Sequence, residues 1–148
     1  MRYFFLVFLI TTLTNSLAQN REDSVKNVIQ TLFLAMKNAD TTLLKISFAD
    51  SAVLQTIVTD EQSIVKVRNE QLKEFVDFIS KEKGNADERI IFETIKIDGP
   101  LAFVWTPYKF YYKGKLSHCG VNSFQLVKIS GVWKIQYLID TRRKDNCE

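Results

Sequence analysis

The sequence predicts an α+β domain in which helices come first and a long antiparallel sheet follows. Apolar residues recur at helical spacing in the amino-terminal half, whereas four β-rich runs, separated by the turn segments DGP, KG and SG, make up the carboxyl-terminal half. Helices that are segregated from a mostly antiparallel sheet are typical of this class. So long a meander buries one face most readily by curving strongly around the helices, and its wide end then forms a pocket.

The first segment, residues 1–18, is typical of a secretory signal peptide. Arg2 precedes an apolar run, and Ser16 and Ala18 form a small-residue cleavage pattern. The run is shorter than the ~20 apolar residues that a membrane-spanning helix needs. We therefore expect cleavage after Ala18, no membrane span, and export of residues 19–148 to the periplasm or the medium.

Residues 19–148 are expected to form one domain. They fit the commonest domain size of about 100–150 residues, and no Pro/Gly/Ser-rich linker divides them. The formal net charge of the chain is only +3, and its one tight basic cluster, Arg142–Lys144, lies next to the terminus. Because nucleic-acid binding depends on a clustered basic face, we expect no nucleic-acid partner.

Two helices open the domain, and a third follows two short strands. The first has its apolar face over Val25–Met36, and Asp40 can cap the second. The strands SAVLQTIV and SIVKVR come next. Asn69 is the expected cap of the third helix, whose apolar face covers Leu72–Ile79 before Gly84 ends the segment.

The remaining runs are ERIIFETIKI, LAFVWTPYKFYY, KLSHCGVNSFQLVKI and VWKIQYLIDT, and their two-residue loops predict a register. With loops at Lys113-Gly114 and Ser130-Gly131, the register places a mixture of apolar and polar side chains on the inner face: Phe103, Trp105, His118, Asn122, Phe124 and Tyr137. Such a mixture is typical of a small-molecule pocket. All of these except His118 are predicted ligand-binding residues, and the ligand is expected to be a small apolar or aromatic molecule. A bulge at Gly120 would turn His118 outward.

The predicted inner face holds no carboxylate. The register turns Asp140 outward, and Asp50 is typical of a turn between a helix and a strand. General acid–base catalysis usually needs a group that tunes the catalytic residue, and His118 has none here. His118 is the candidate catalytic residue, but because it lacks such a group, a binding module is favoured over an enzyme. A purely structural or interaction domain is a third alternative.

Burial in a partly apolar cavity should lower the pKa of His118 below its usual value of about 6.5. No cluster of His, Cys, Asp or Glu has metal-ligand spacing, so neither a metal nor another cofactor is expected.

Two cysteines, Cys119 and Cys147, can pair in an oxidising compartment. The register puts Cys119 opposite Arg142, so a short chain reversal brings Cys147 within disulfide distance, about 5.5–6 Å between α-carbons. Two cysteines do not establish a pair by number alone, so two free thiols are the alternative.

The segments FADSAVL and VWTPYKFYYKGKLSHCGVNSFQLVKISGVWKIQYLIDTRR, with the order of helices before them, resemble bacterial members of the nuclear-transport-factor-2-like superfamily. The resemblance covers about residues 22–144 and is closest to a subgroup described as lumazine-binding or polyketide-cyclase-like. It implies a cone-shaped, cystatin-like sheet wrapped around three helices, with a hydrophobic cavity.

The resemblance also implies a homodimer through the outer face of the sheet, where we expect four residues near the contact: Gln125, Lys134, Gln136 and Leu138. The superfamily includes ketosteroid isomerases, dehydratases and polyketide cyclases that use acidic or histidine side chains inside the cone. The alternative function is therefore such an enzyme, in which His118 moves a proton while Asn122 or a tyrosine hydroxyl stabilises an oxyanion.

Overall fold

The computed structural model describes the backbone of residues 3–60 and 62–147, and the side chains of residues 19–60 and 62–147. The predicted signal peptide, 1–18, lies outside the residues whose side chains are described, so its cleavage stays a prediction. Among the described residues, no helix is long and apolar enough to cross a membrane.

The described residues form three helices and seven strands. Their order is α1 (Tyr3–Asn38), α2 (Thr41–Ile46), β1 (Phe48–Thr59), β2 (Val65–Glu70), α3 (Leu72–Ile79), β3 (Ala86–Ile90), β4 (Thr94–Asp98), β5 (Leu101–Tyr112), β6 (Lys115–Ile129) and β7 (Val132–Thr141). The predicted order of elements and the predicted α+β class are confirmed. Asp50 is an exposed residue of β1, however, and the turn predicted for it is wrong.

The strands form one sheet in the order β2-β1-β7-β6-β5-β3, and β4 also pairs with β5. Every pairing is antiparallel except that of β1 with β7. The predicted strand ERIIFETIKI is divided into β3 and β4 opposite Pro107, whose carbonyl accepts from the N–H of Ile91 at 2.9 Å. Because a proline has no N–H to return, the ladder is interrupted there.

The helices cover the concave face of the sheet and supply half of the core. Buried side chains of the helices, Val25, Ile29, Leu32, Leu44, Val76 and Ile79, pack against those of the sheet, Val104, Phe124, Leu126 and Ile135. Asp40 caps α2 as predicted, since its Oδ1 accepts from the N–H of Leu43 at 2.9 Å. The cap predicted for α3 is wrong: Gln71 is the N-cap residue, and Asn69 lies in β2.

One β-bulge shifts the pairing of β5 with β6. Tyr111 pairs with Leu116, but Phe110 pairs with His118, so Ser117 is an extra residue in β6. The bulge lies at Ser117 and not at Gly120. Beyond it, the predicted pairs Phe103 with Phe124 and Trp105 with Asn122 are wrong, and the observed pairs are Phe103 with Gln125 and Trp105 with Ser123. Because β6 has one extra residue, every pair beyond the bulge is shifted by one position. The residues of β5 in those pairs therefore lie on the opposite face from the one predicted.

A second bulge shifts the pairing of β6 with β7. Leu126 pairs with Ile135 as predicted, but Gln125 pairs with Tyr137, so Gln136 is the extra residue. The predicted pairs Phe124 with Tyr137 and Asn122 with Ile139 are therefore wrong, because Phe124 pairs with Leu138 and Asn122 with Asp140. Asp140 consequently lies on the inner face, where it is buried.

The disulfide that the sequence left open is formed. Cys119 and Cys147 are bonded, with their α-carbons 5.6 Å apart. Cys119 lies opposite Arg143 rather than Arg142, and two backbone hydrogen bonds of 2.9 Å join Cys119 and Arg143. The segment after β7 is therefore fastened to the middle of β6.

Candidate functional site

A cavity of about 680 Å³ lies between helix α3 and the concave face of the sheet. Five apolar residues of its lining, which we call the apolar wall, are Met36 of α1, Phe75, Phe78 and Ile79 of α3, and Phe110 of the sheet. Five polar residues of the sheet and the segment after it, which we call the polar wall, are Glu88, Tyr108, His118, Asp140 and Arg142. Four further polar residues from β2 and α3 complete the lining: Arg68, Asn69, Glu70 and Glu74.

A row of polar side chains crosses the sheet next to the cavity. Thr106, Asn122, Asp140 and Thr56 are consecutive cross-strand neighbours in β5, β6, β7 and β1. All four are buried. Within the row Thr56 donates to Asp140, whereas Asn122 donates to Glu88 outside it, and the buried hydroxyl of Thr106 has no hydrogen-bond partner among the described residues.

Asp140 is the centre of this row. Its carboxylate accepts from the Thr56 hydroxyl at 2.6 Å, the Tyr108 hydroxyl at 3.0 Å and Nε of Arg142 at 2.8 Å. Burial and the charge of Asp140 raise the pKa of Tyr108, so its hydroxyl keeps the proton that it donates. Burial opposes the charge on Arg142, but the hydrogen bond to Asp140 and the charges of Asp140 and Glu70 together outweigh it and raise the pKa of Arg142. Asp140 therefore fixes the positions of Tyr108 and Arg142.

Gly120 makes room for this arrangement. A β-carbon on Gly120 would lie 1.8 Å from the carbonyl oxygen of Thr141 and 2.9 Å from the Tyr108 ring. The Tyr108 ring can therefore cross β6 at Gly120, and its hydroxyl also donates to the Thr141 carbonyl at 3.0 Å. Glycine is required here because two neighbouring strands close over this position, not because of an unusual backbone angle.

Glu88 is the carboxyl group of the site that is poised to exchange a proton. Its Oε1 accepts from the Asn122 amide at 2.8 Å. Burial raises the pKa of Glu88 to about 7, and the nearby Asp140 charge adds to the effect, whereas the Asn122 hydrogen bond and Arg142 oppose it. Among the ion pairs of the described residues, none involves Glu88. Glu88 can therefore carry or release a proton near neutral pH.

His118 faces the same cavity. Glu88, Phe110 and His118 are consecutive cross-strand neighbours. The His118 ring centroid lies 4.9 Å from that of Phe110 and 5.8 Å from that of Tyr108. Burial, and then the charge of Arg142, lower the pKa of His118, which confirms the expected direction. The imidazole is therefore neutral at pH 7.

The structure separates the predicted site residues into three groups. His118 lies on the polar wall, and Asn122 is buried further along the same face of β6, where its amide donates to Glu88. Phe124 is fully buried in the core, edge-on to Phe33, and does not line the cavity. The remaining three predicted residues, Phe103, Trp105 and Tyr137, lie on the outer face.

The outer position of these three residues follows from the two bulges. Trp105 is 38% exposed. The Tyr137 hydroxyl donates to the Gln55 side chain at 2.6 Å on the outer face of β1. The cavity wall predicted from them is therefore wrong, because a shift of one residue exchanges the two faces of a strand.

Sequence reasoning missed four members of the polar wall: Glu88, Tyr108, Asp140 and Arg142. A signal was present for two of them. Asp140 and Arg142 are separated by one residue, so they share one face of a strand and can pair. Glu88 gave no such signal, since its neighbours Asp87 and Arg89 are also charged and hide the alternation of faces.

No protein-family model matches the sequence, and no curated protein matches it. Among solved structures, an NTF2-like protein of unknown function from Shewanella baltica OS155 is similar, with a TM-score of 0.68 and 17% identity over 85% of this chain and 96% of that chain. An NTF2-like protein of unknown function from Methylobacillus flagellatus KT has a TM-score of 0.65 and 17% identity, over 84% of this chain and 94% of that chain.

A domain of unknown function with a cystatin-like fold, from Nostoc punctiforme PCC 73102, is also similar. Its TM-score is 0.64 and its identity is 14%, over 84% of this chain and 78% of that chain. The lumazine-binding or polyketide-cyclase-like subgroup stays a prediction. These likenesses, with the curved sheet wrapped around α1, α2 and α3, establish that the chain has the nuclear-transport-factor-2-like fold.

Proposed function

We propose that this chain is a small-molecule-binding domain whose ligand lies in the cavity between α3 and the sheet. The division of the cavity into an apolar wall and a polar wall carries the proposal. Its volume of about 680 Å³ is within the range of ligand pockets, roughly 300–1,000 Å³. We infer a ligand with an apolar body against Phe75 and Phe78 of α3, and with a polar end at Glu88 and His118 of the sheet.

Native mass spectrometry of the purified protein tests this proposal directly, because a copurified ligand would add its mass to the folded chain. A second test uses Nile red as a neutral apolar probe. Phe78 lines the cavity and is 48% exposed, so Phe78→Ala removes apolar contacts without opening the core. It should weaken binding about tenfold, by about 1–2 kcal/mol.

Leu34→Ala is the matched control, since Leu34 is 56% exposed on α1 and does not line the cavity. If the two variants bound the dye equally well, the cavity would not be its site. If neither a copurified ligand nor dye binding were found, the proposal would be rejected.

The second candidate function is proton-transfer catalysis, as in an isomerase, dehydratase or cyclase. The raised pKa of Glu88, about 7, favours it, because a general base works best when its pKa is near the working pH. In this version Glu88 removes the proton, and neutral His118 donates a hydrogen bond to the oxyanion that develops. Glu88 thus provides the carboxylate base that the predicted inner face did not contain.

Solvent-deuterium exchange separates the two candidates. An enzyme should exchange the α-protons of a bound cyclic ketone in D₂O, and Glu88→Gln should abolish this exchange. A binding domain should hold the same ketone without exchanging it.

We also propose a homodimer through the outer face of the sheet. Large apolar side chains are exposed on this face, including Val53 at 45% and Trp105 at 38%, and such patches mark interaction surfaces. Gln125 also stays on this face, next to Phe103 and Tyr137. Leu138 does not, because it packs against the core. The apolar character of the face comes instead from the aromatic residues that were predicted to face the cavity.

Finally, we propose that the chain is exported. Arg2 with the apolar run after it, and the pattern at Ser16 and Ala18, support this proposal. The disulfide between Cys119 and Cys147 also supports it, since disulfides persist in oxidising compartments. Amino-terminal sequencing of the protein from its native host should begin after Ala18, and a chain that still began at Met1 would contradict the proposal.

A further inference from the structure

We propose that the cavity takes an organic amine, whose ammonium group binds Glu88 and whose apolar body lies against the phenyl rings of the apolar wall. This inference rests on the proposed small-molecule binding and names the chemical class of the ligand. Three observations carry it: the charge of the cavity lining, the free side of Glu88, and the aromatic rings beside it.

The lining has more carboxylates than guanidinium groups. Four acidic residues line the cavity, Glu70, Glu74, Glu88 and Asp140, and two arginines do so, Arg68 and Arg142. Arg142 is occupied, since its Nε lies 2.8 Å from Asp140 and its Nη2 lies 3.3 Å from Glu70. The excess of negative charge therefore favours a cationic ligand over an anionic one.

The carboxylate of Glu88 has one oxygen that can bind such a ligand. Its Oε1 is held by Asn122 at 2.8 Å, whereas Oε2 accepts no hydrogen bond from the described residues. An ammonium group has three donors and no acceptor, so it can bind Oε2 while the amide keeps Oε1 in place. The remaining donors of the ammonium group can then bind water or the ring nitrogen of His118.

Aromatic rings surround this position. Phe110 is the cross-strand neighbour of Glu88, the His118 ring lies next to Phe110, and the Tyr108 ring lies next to His118. The ring faces of aromatic residues attract cations. Burial lowers the pKa of His118, so at neutral pH its ring adds no positive charge that would repel an ammonium group. A carboxylate with one oxygen free and with aromatic rings beside it suits an amine that carries an apolar body.

Binding of an amine through Glu88 depends on pH. The charged and titratable groups around Glu88 are Tyr108 of β5, His118 of β6, Asp140 and Arg142 of β7, Arg68 and Glu70 of β2, and Glu74 of α3. Burial raises the pKa of Glu88 to about 7, and only the ionised carboxylate attracts an ammonium ion. Between pH 6 and pH 8 the affinity for an amine should therefore rise about tenfold, whereas a neutral ligand should show no such rise.

Three probes of nearly equal shape test the inference: 2-phenylethylamine, 2-phenylethanol and 3-phenylpropionate, which are cationic, neutral and anionic at pH 8. The chain has one histidine, so in untagged protein the ring protons of His118 report binding in NMR titrations without assignment. At pH 8 we expect the amine to bind at least tenfold more tightly than the alcohol, and the carboxylate to bind least. Glu88→Gln should remove the preference for the amine, so that the amine and the alcohol bind with similar affinity.

Glu93→Gln is the matched control, because Glu93 is an exposed carboxylate that does not line this cavity. It should keep the preference for the amine. If Glu88→Gln did not fold, the change in amine affinity between pH 6 and pH 8 in the unaltered protein would show whether the amine binds through Glu88. A preference for the amine with this rise supports the inference, and an amine affinity that does not change with pH overturns it.

Other results separate this inference from the proposed function. If the alcohol or the carboxylate bound as tightly as the amine, the amine class would be wrong, while small-molecule binding would stand. If none of the three shifted the His118 signals, the amine class would again be wrong, and the search for a copurified ligand would decide small-molecule binding independently.

Discussion

The hydroxyl of Tyr108 donates a hydrogen bond of 3.0 Å to the carboxylate of Asp140, although strand β6 lies between the strands that carry them. The contact exists because Gly120, the residue of β6 at the crossing point, has no side chain. Tyr108 and Asp140 therefore depend on a third residue that contributes no functional group.

Gly120→Ala should destabilise the protein by about 3 kcal/mol or more. The added β-carbon would meet the Thr141 carbonyl oxygen at 1.8 Å, and relief of such a clash requires a shift of the backbone. Urea denaturation monitored by circular dichroism measures the loss. Ser123→Ala, on the outer face of the same strand, is the control and should change the stability by less than about 0.5 kcal/mol. An equally small effect of Gly120→Ala would contradict the close approach of β6 and the end of β7.

The stability of the protein should fall as Glu88 ionises. Burial raises its pKa from the ordinary 4.5 to about 7 in the folded protein, so the folded state binds the proton more tightly than the unfolded state does. The contribution of Glu88 is therefore fully present below pH 4.5 and is lost as the pH rises through 7. Since Glu88→Gln cannot ionise, its stability relative to the unaltered protein should increase by about 1–3 kcal/mol from pH 4.5 to pH 8.

Urea titrations of the two proteins at several pH values measure this difference, and the effect of His118 cancels because both contain it. Glu93→Gln should show no such change relative to the unaltered protein. A difference between Glu88→Gln and the unaltered protein that is constant with pH would mean that Glu88 has an ordinary pKa, and the catalytic candidate would lose its main support.

Replacement of Trp105 by lysine should convert the proposed dimer into a monomer. A charge in the centre of an apolar interface has to be buried without a partner, and this cost weakens association. Light scattering at about 100 µM, where a micromolar dimer is populated, measures the mass. Ile91→Lys is the control, because Ile91 is 70% exposed between β3 and β4 and should leave the dimer intact. An unaltered protein that is monomeric at this concentration would remove the dimer proposal.

Loss of the disulfide should weaken the fold. Cys119 and Cys147 are separated by 28 positions, and a closed loop of this size contributes about 3–4 kcal/mol in the chain-entropy description. Cys147→Ser should therefore lower the free energy of unfolding by about that amount in oxidising buffer. In reducing buffer the variant and the unaltered protein should be equally stable. Equal stability in oxidising buffer would mean that the cysteines are not bonded in solution.

The fold could be predicted from the sequence because its determinants are local. The apolar spacing from Val25 to Met36 specifies one face of a helix, and the turn at Lys113-Gly114 specifies a hairpin wherever it lies in the domain. The inward direction of His118 was also predictable, since His118, Asn122 and Phe124 lie in one uninterrupted part of β6, where faces alternate regularly.

The sequence by itself thus determined the class, the order of elements and the inner side of β6, because each follows from spacing within one segment. Only the tertiary structure decided which residues of β5 and β7 share that inner side. The extra residues at Ser117 and Gln136 have no composition that distinguishes them from regular strand residues, yet each exchanges the faces of the paired strand beyond it. For this reason Tyr108 and Asp140 line the cavity and Trp105 and Tyr137 lie outside, since a pairing between strands depends on both chain segments at once.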